Sequence, residues 1–222
     1  MSLVPESDAA TVLRAADGRV PGRRGRATRE KLLECATGLL ATTPYRDLKV
    51  TDITRDAGTS PATFYQYFVD IEAAVLAIAE RTGEEGAALA HNLDGRSWKG
   101  AAGWQAAEEL VDGFLDFWER HGPVMRVVWL LTEEGDHRFR KARASMLNAV
   151  TRALAAAIED VQGDGKATTE PMAMAGSLVA MLANVAAHQS GFESWQIHIK
   201  DVRIAMTTLV YWAVTGPKVP KR

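Results

Sequence analysis

Apolar residues recur at intervals of three and four along most of the chain, and no stretch alternates with the period of two that marks a strand. Leu32, Leu33, Cys35, Ala36, Leu39 and Leu40 form a stripe that predicts a helix over 28–42, closed by Thr42-Thr43-Pro44. Tyr45, Leu48 and Val50 fall between periodic segments and are expected to plug the junction with two short helices over 51–57 and 60–68. A longer pattern with Asp70 and Glu72 in its first turn predicts a helix over 70–93, despite Gly83 and Gly86. The next, over 101–121, is expected to break at Gly122-Pro123, with Pro123 opening another over 124–132; Gly135 separates these from a helix over 136–161. The last two, over 169–189 and 199–215, are the most apolar, and a helix that is apolar on several sides is covered on several sides. Ala173, Gly176, Ala180 and Ala183 permit close helix approach, so a second copy of the chain is the expected cover. The fold class is all-α, with about nine helices.

The stretch 51–68, TDITRDAGTSPATFYQYF, reads as a helix, a tight turn and a second helix. Gly58 stands where the first helix must stop in a left-handed residue. Thr59 or Ser60 caps the second, and Pro61 occupies its first turn, where a missing N–H costs nothing. Such a pair lays its second helix in the DNA major groove. Thr51, Ser60, Tyr65 and Tyr67 offer hydroxyls to phosphates, and Lys49 adds charge. Thr63 and Gln66 share a face; glutamine bonds adenine bidentately and threonine meets a thymine methyl. Pro61 and Ala62 are small enough to approach base edges. Phe64 and Phe68 are expected to face inward on Ile53.

The net charge of −2 means that affinity for nucleic acid must come from a local patch. The run 19–26 supplies four arginines and no acid. Arg23, Arg24 and Arg26, immediately before the first helix, are expected to belong to a flexible basic arm, 1–27, that reaches phosphates or the minor groove. The helix-turn-helix domain then spans 28–69 and an all-helical domain 70–222. One cysteine, Cys35, excludes an internal disulfide and points to a reducing compartment. No apolar run approaches the roughly 20 residues of a membrane span, and no signal-peptide core precedes the first helix. The expectation is a cytoplasmic protein without a membrane partner.

From Arg29-x-x-Leu32-Leu33-x-Cys35-Ala36, through Val50-Thr51-x-Ile53, to Ala57-Gly58-Thr59-Ser60-Pro61-Ala62-Thr63-Phe64-Tyr65-Gln66-Tyr67-Phe68, the sequence resembles the TetR (tetracycline-repressor-like) family of bacterial transcriptional regulators. The resemblance is specific over 29–75; beyond that only length and helix pattern agree. The alanine usual after the isoleucine is Thr54 here, and the glycine usual before the threonine of the second helix is Ala62. The phosphate-contacting lysine after that helix is replaced by Ile71, which shifts weight to the arginine segment. The resemblance implies a homodimer built through the last two helices, double-stranded operator DNA as partner, and a small-molecule effector, most often one that releases a repressor.

Trp104, Phe114, Phe117, Trp118, Met125, Trp129, Met146, Met181 and Phe192 are candidates to line a hydrophobic effector pocket, with Asn184 and His188 as its polar groups. Each also suits plain core packing or an interface. An enzyme would need a converging acid, base and nucleophile. The sequence has no H-E-x-x-H, G-x-S-x-G, cysteine pair or glycine-rich phosphate loop, and its five histidines do not fall at metal-ligand spacing. No cofactor or metal is expected. A helical protein-interaction module suits the slightly acidic balance, but not the arginines and the helix-turn-helix.

Overall fold

The computed structural model describes residues 22–163 and 169–216, and among these all regular structure is helical. The elements are α1 (Arg23–Leu40), α2 (Val50–Asp56), α3 (Pro61–Tyr67), α4 (Ile71–Ala88), α5 (Gly100–Glu133), α6 (His137–Gln162), α7 (Pro171–Ala187), α8 (Gln189–Glu193) and α9 (Ile199–Thr215), with 3₁₀ turns at Tyr45–Asp47 and Leu89–Leu93. The chain separates into two compact units, Met1–Ile78 and Ala79–Arg222. The first therefore takes in the opening turns of α4, beyond the 69/70 boundary read from the sequence.

In the first unit α1, α2 and α3 pack on one another. Leu32, Leu33 and Ala36 of α1, Ile53 of α2 and Phe64 of α3 are buried at its centre. The opening of α1 corrects the sequence reading. The helix starts at Arg23, not Thr28, so Arg23, Arg24 and Arg26 are helical and not part of an extended arm. Arginine is nearly as good a helix former as alanine, and Gly22, in an extended conformation, is the N-cap. Thr28 lies within the helix, its hydroxyl donating to the Arg24 carbonyl. The remainder of the expected arm, before Gly22, lies outside the described residues.

In the second unit α5 packs against α6, α7 and α9, and α6 against α7 and α9. A second correction concerns Gly122-Pro123, which does not end a helix: α5 runs 34 residues with Pro123 inside it. An internal proline costs about 3 kcal/mol. Here both halves of α5 contribute to the buried apolar side, with Phe114, Leu115, Phe117 and Trp118 before the proline and Val124, Met125, Val127 and Val128 after it. Burying one such side chain stabilises by about 1.5–3 kcal/mol, so packing outweighs the lost hydrogen bond. The expected helix over 70–93 divides into α4 and a 3₁₀ turn, and the one over 169–189 ends at Ala187, with α8 carrying Phe192 separately. Gly86 shows why a glycine sits in α4. A Cβ there would lie 3.0 Å from Met146 Cγ and 3.3 Å from Phe117 Cζ, so its absence lets the helices close up.

Helix α6 is capped by Asp136, which accepts from the Arg138 N–H at 2.8 Å and pairs with the Arg138 guanidinium at 2.7 Å. These contacts, the guanidinium's hydrogen bonds first, bring the carboxyl from 3.8 down to about 2. The folded state thus binds this proton less tightly than the unfolded chain does. The stabilisation is complete above about pH 4 and is lost as pH falls toward 2. Asp136→Asn is expected to lower the melting temperature at neutral pH and to flatten its decline between pH 4 and 2, read by calorimetry across that range.

Candidate functional site

The turn between α2 and α3 is built by backbone hydrogen bonds that only a left-handed residue permits. Gly58 has φ +65°. Its N–H donates to the Arg55 carbonyl at 3.1 Å, and the Thr59 N–H donates to the Thr54 carbonyl at 2.9 Å, the paired bonds of a Schellman cap. Gly58→Ala is therefore expected to cost the first unit about 1–2 kcal/mol, the penalty of a left-handed L-residue, measured as a lowered urea midpoint at unchanged slope.

Ser60 then starts α3. Its Oγ accepts from the Thr63 N–H at 3.3 Å and lies 3.0 Å from Thr63 Oγ1, and Pro61 follows at the first helical position. With Phe64 and Phe68 buried, their rings 5.4 Å apart, the opposite side of α3 is turned outward. Pro61, Ala62, Tyr65 and Gln66 are exposed on it, and Thr63 and Tyr67 are half-buried at its edges. Tyr65 stands edge-on to Phe64, with centroids 5.6 Å apart, which fixes the ring and leaves it 53% exposed. Lys49 and Thr51 are exposed at the start of α2, and Arg23, Arg24 and Arg26 at the start of α1. That first turn of α1 carries no acid. Three cations there oppose the helix macrodipole, an arrangement that an anion would relieve.

Two features of this unit go beyond the sequence reading. Arg46 and Val69 line a groove of about 430 Å³ beside Tyr65 and Ile71. In the sequence Arg46 carried no signal beyond its charge. Burial, and then the Asp56 carboxylate, push the Cys35 thiol up from its ordinary value, away from the thiolate.

In the second unit Phe114, Phe117, Trp118, Met125 and Met146 are buried in one core cluster, with Trp129, Met181 and Phe192 half-buried against it. Trp104 packs instead on Tyr211, ring centroids 6.0 Å apart. Asn184 and His188 are exposed, and His188 Nδ1 lies 2.8 Å from the Asn184 carbonyl. Two clefts reach this set. A wider one, about 690 Å³, takes in Trp118 together with Pro123, Arg126, Ile199 and Arg203. A narrower one, about 240 Å³, takes in Trp129 and Asn184 together with Arg143, which the sequence showed only as one cation on the polar side of α6.

A glycine-stopped helix pair with a polar, outward second helix, followed by a helical unit several times its length, defines a helix-turn-helix regulator. The comparisons agree. Residues 89–221, more than half of the chain, match the family described as "Tetracyclin repressor-like, C-terminal domain", and residues 32–78 match "Bacterial regulatory proteins, tetR family". The chain belongs to the TetR family of bacterial transcriptional regulators, which are DNA-binding regulators and not enzymes. It is 31% identical over 99 residues to the uncharacterised helix-turn-helix-type transcriptional regulator YvdT of Bacillus subtilis, a match covering 43% of this chain and about half, 48%, of that relative. Its fold is similar to that of a candidate TetR-family regulator from Syntrophomonas wolfei, at a TM-score of 0.67, 14% identity and coverage of 88% of this chain and 99% of the other. It is also similar to the regulator FadR of Bacillus subtilis in complex with stearoyl-CoA, at a TM-score of 0.61, 13% identity and coverage of 85% and 99%.

Proposed function

We propose that the chain is a homodimeric, effector-responsive repressor that binds operator DNA in the cytoplasm through α3. The observation that carries this reading is the outward side of α3: Ala62, Tyr65 and Gln66 lie exposed between a serine cap and a buried Phe64–Phe68 pair. Small and hydrogen-bonding residues on a helix held rigid from behind suit a major groove. Lys49, Thr51, Ser60, Tyr67 and the three arginines of α1 serve as phosphate contacts.

A homodimer through α7 and α9 is supported by the exposed apolar side chains of α9, Ile204, Leu209 and Trp212, and by exposed small residues of α7, Ala173 and Ser177. Two copies would set their α3 helices one DNA turn apart, about 34–36 Å. An effector in the second unit acts by binding one spacing of these helices better than the other. A hydrophobic effector is supported by the aromatic and methionine side chains there; the similarly folded Bacillus subtilis FadR holds an acyl-CoA.

The test is a gel-shift titration on DNA flanking the chain's own gene, repeated at several salt concentrations. Specific binding is expected, with log K falling linearly in log salt. Gln66→Ala is expected to cost about 1–3 kcal/mol and to relax selection at one base pair, while the salt slope stays unchanged. Arg24→Ala should do the reverse, lowering the slope by about one and leaving sequence preference intact. Absence of sequence-specific binding at low salt would reject the reading.

A further inference from the structure

The narrower cleft of the second unit sets a cation on an aromatic ring beside a hollow of mixed lining, apolar on one part and polar at Thr151 and Asn184. The Arg143 guanidinium of α6 stands over the face of Trp129 of α5, 4.5 Å from the ring centroid. Trp129 meets Trp118 edge-on at 5.0 Å. The arginine therefore rests on a braced aromatic pair and not on a free-swinging stem. The hollow is walled by Leu147 and Thr151 of α6 and by Val179, Ala180, Ala183 and Asn184 of α7. The small α7 residues leave the space open. The carboxylate paired with Arg143 is that of Glu133, at 3.7 Å and 76% exposed. A contact of this length to so exposed an acid contributes little, and a ligand can replace it.

We infer that this cleft binds an organic anion with an apolar body, its carboxylate held by Arg143 and its hydrocarbon or aromatic part lying against Leu147 and Val179. This rests on the reading above that the second unit holds an effector, and it adds that the effector is acidic. The geometry favours arginine for the task. Its planar fork gives a carboxylate two parallel hydrogen bonds while the opposite face keeps its stacking on Trp129. The volume, about 240 Å³, is below the common range of small-molecule pockets and fits a medium-chain or bicyclic acid.

Thermal shift and calorimetric titration of the full-length chain with octanoate and 1-naphthoate, against 1-octanol and naphthalene-1-methanol as uncharged counterparts, test this. The expected result is a rise in melting temperature with at least one of the acids and with neither alcohol at equal concentration. Arg143→Gln is expected to weaken that acid about tenfold or more, the worth of a hydrogen bond to a charged group. Arg143→Lys should recover only part, since it keeps the charge and loses the fork. Equal binding of acid and alcohol, undiminished binding by Arg143→Gln, or binding of neither acid would overturn the assignment. Operator binding without ligand, measured in parallel, separates the two readings: if it persists while the acids fail, the acidic effector alone is rejected, and if it is absent, the regulator reading falls as well.

Discussion

Phe64→Ala unfolds the first unit and leaves the second folded: this is the expected result with the largest thermodynamic effect. Phe64 is fully buried, meets Tyr65 edge-on and lies 5.4 Å from Phe68. A phenylalanine-to-alanine change in such a place costs about 3–5 kcal/mol. A unit of this size, at about 0.05–0.15 kcal/mol per residue, has only a few kcal/mol to lose. A seven-residue helix has no stability of its own, since its nucleation cost is not recovered in so few turns. Helix α3 exists because Phe64 and Phe68 hold it to the bundle. Two transitions should appear where the wild type shows one or two, the earlier well below that of the wild type, with amide exchange in 50–68 becoming fast and operator binding lost. Phe64→Leu should recover part of the stability. An unchanged melt and unchanged exchange protection for Phe64→Ala would show that the bundle is held elsewhere.

Trp212→Asp is expected to convert the proposed dimer to a monomer and to cost operator affinity about a hundredfold or more. In a single copy Trp212 is 53% exposed, on the same broad side of α9 as Ile204 and Leu209. The substitution therefore leaves the subunit's own core intact. In a two-fold interface the change is presented twice, and a carboxylate enclosed there without a partner costs several kcal/mol. The penalty falls on association, and the melting temperature extrapolated to low concentration should hardly move. Two linked binding modules gain about 10²–10⁴ in affinity over one, and a monomer forfeits that factor. Sedimentation equilibrium at micromolar concentration reads the first effect and the gel shift the second. A Trp212→Asp protein that still sediments as a dimer would move the interface away from α9.

Much of the architecture follows from local rules. The all-helical class follows from the three-and-four spacing, and α9 occupies the range its periodicity predicts, because a clear apolar stripe and a glycine stop act within a few residues. The α2–α3 turn is similarly local. Gly58, Ser60 and Pro61 each satisfy one requirement of a helix end, so the order of the residues is enough to place the turn and to decide which side of α3 looks outward.

What lay outside those rules was settled by packing between distant segments. By local chemistry Gly122-Pro123 ends a helix; it does not, because Phe117 and Trp118 before it and Met125 after it are buried in the same core. The arginines before Thr28 are a different case: they offer no apolar face and look unstructured by periodicity, yet they are helical because arginine is itself a good helix former and α1 continues through them. The sequence by itself determined the helical class, the glycine-stopped α2–α3 turn and the inward Phe64–Phe68 pair. Only the tertiary structure decided which of the second unit's aromatics are sealed inside and which meet a cleft, and it alone set Arg143 over Trp129. The reason is that propensity and capping act over a turn or two, whereas a site between α5, α6 and α7 depends on side chains brought together from distant parts of the chain.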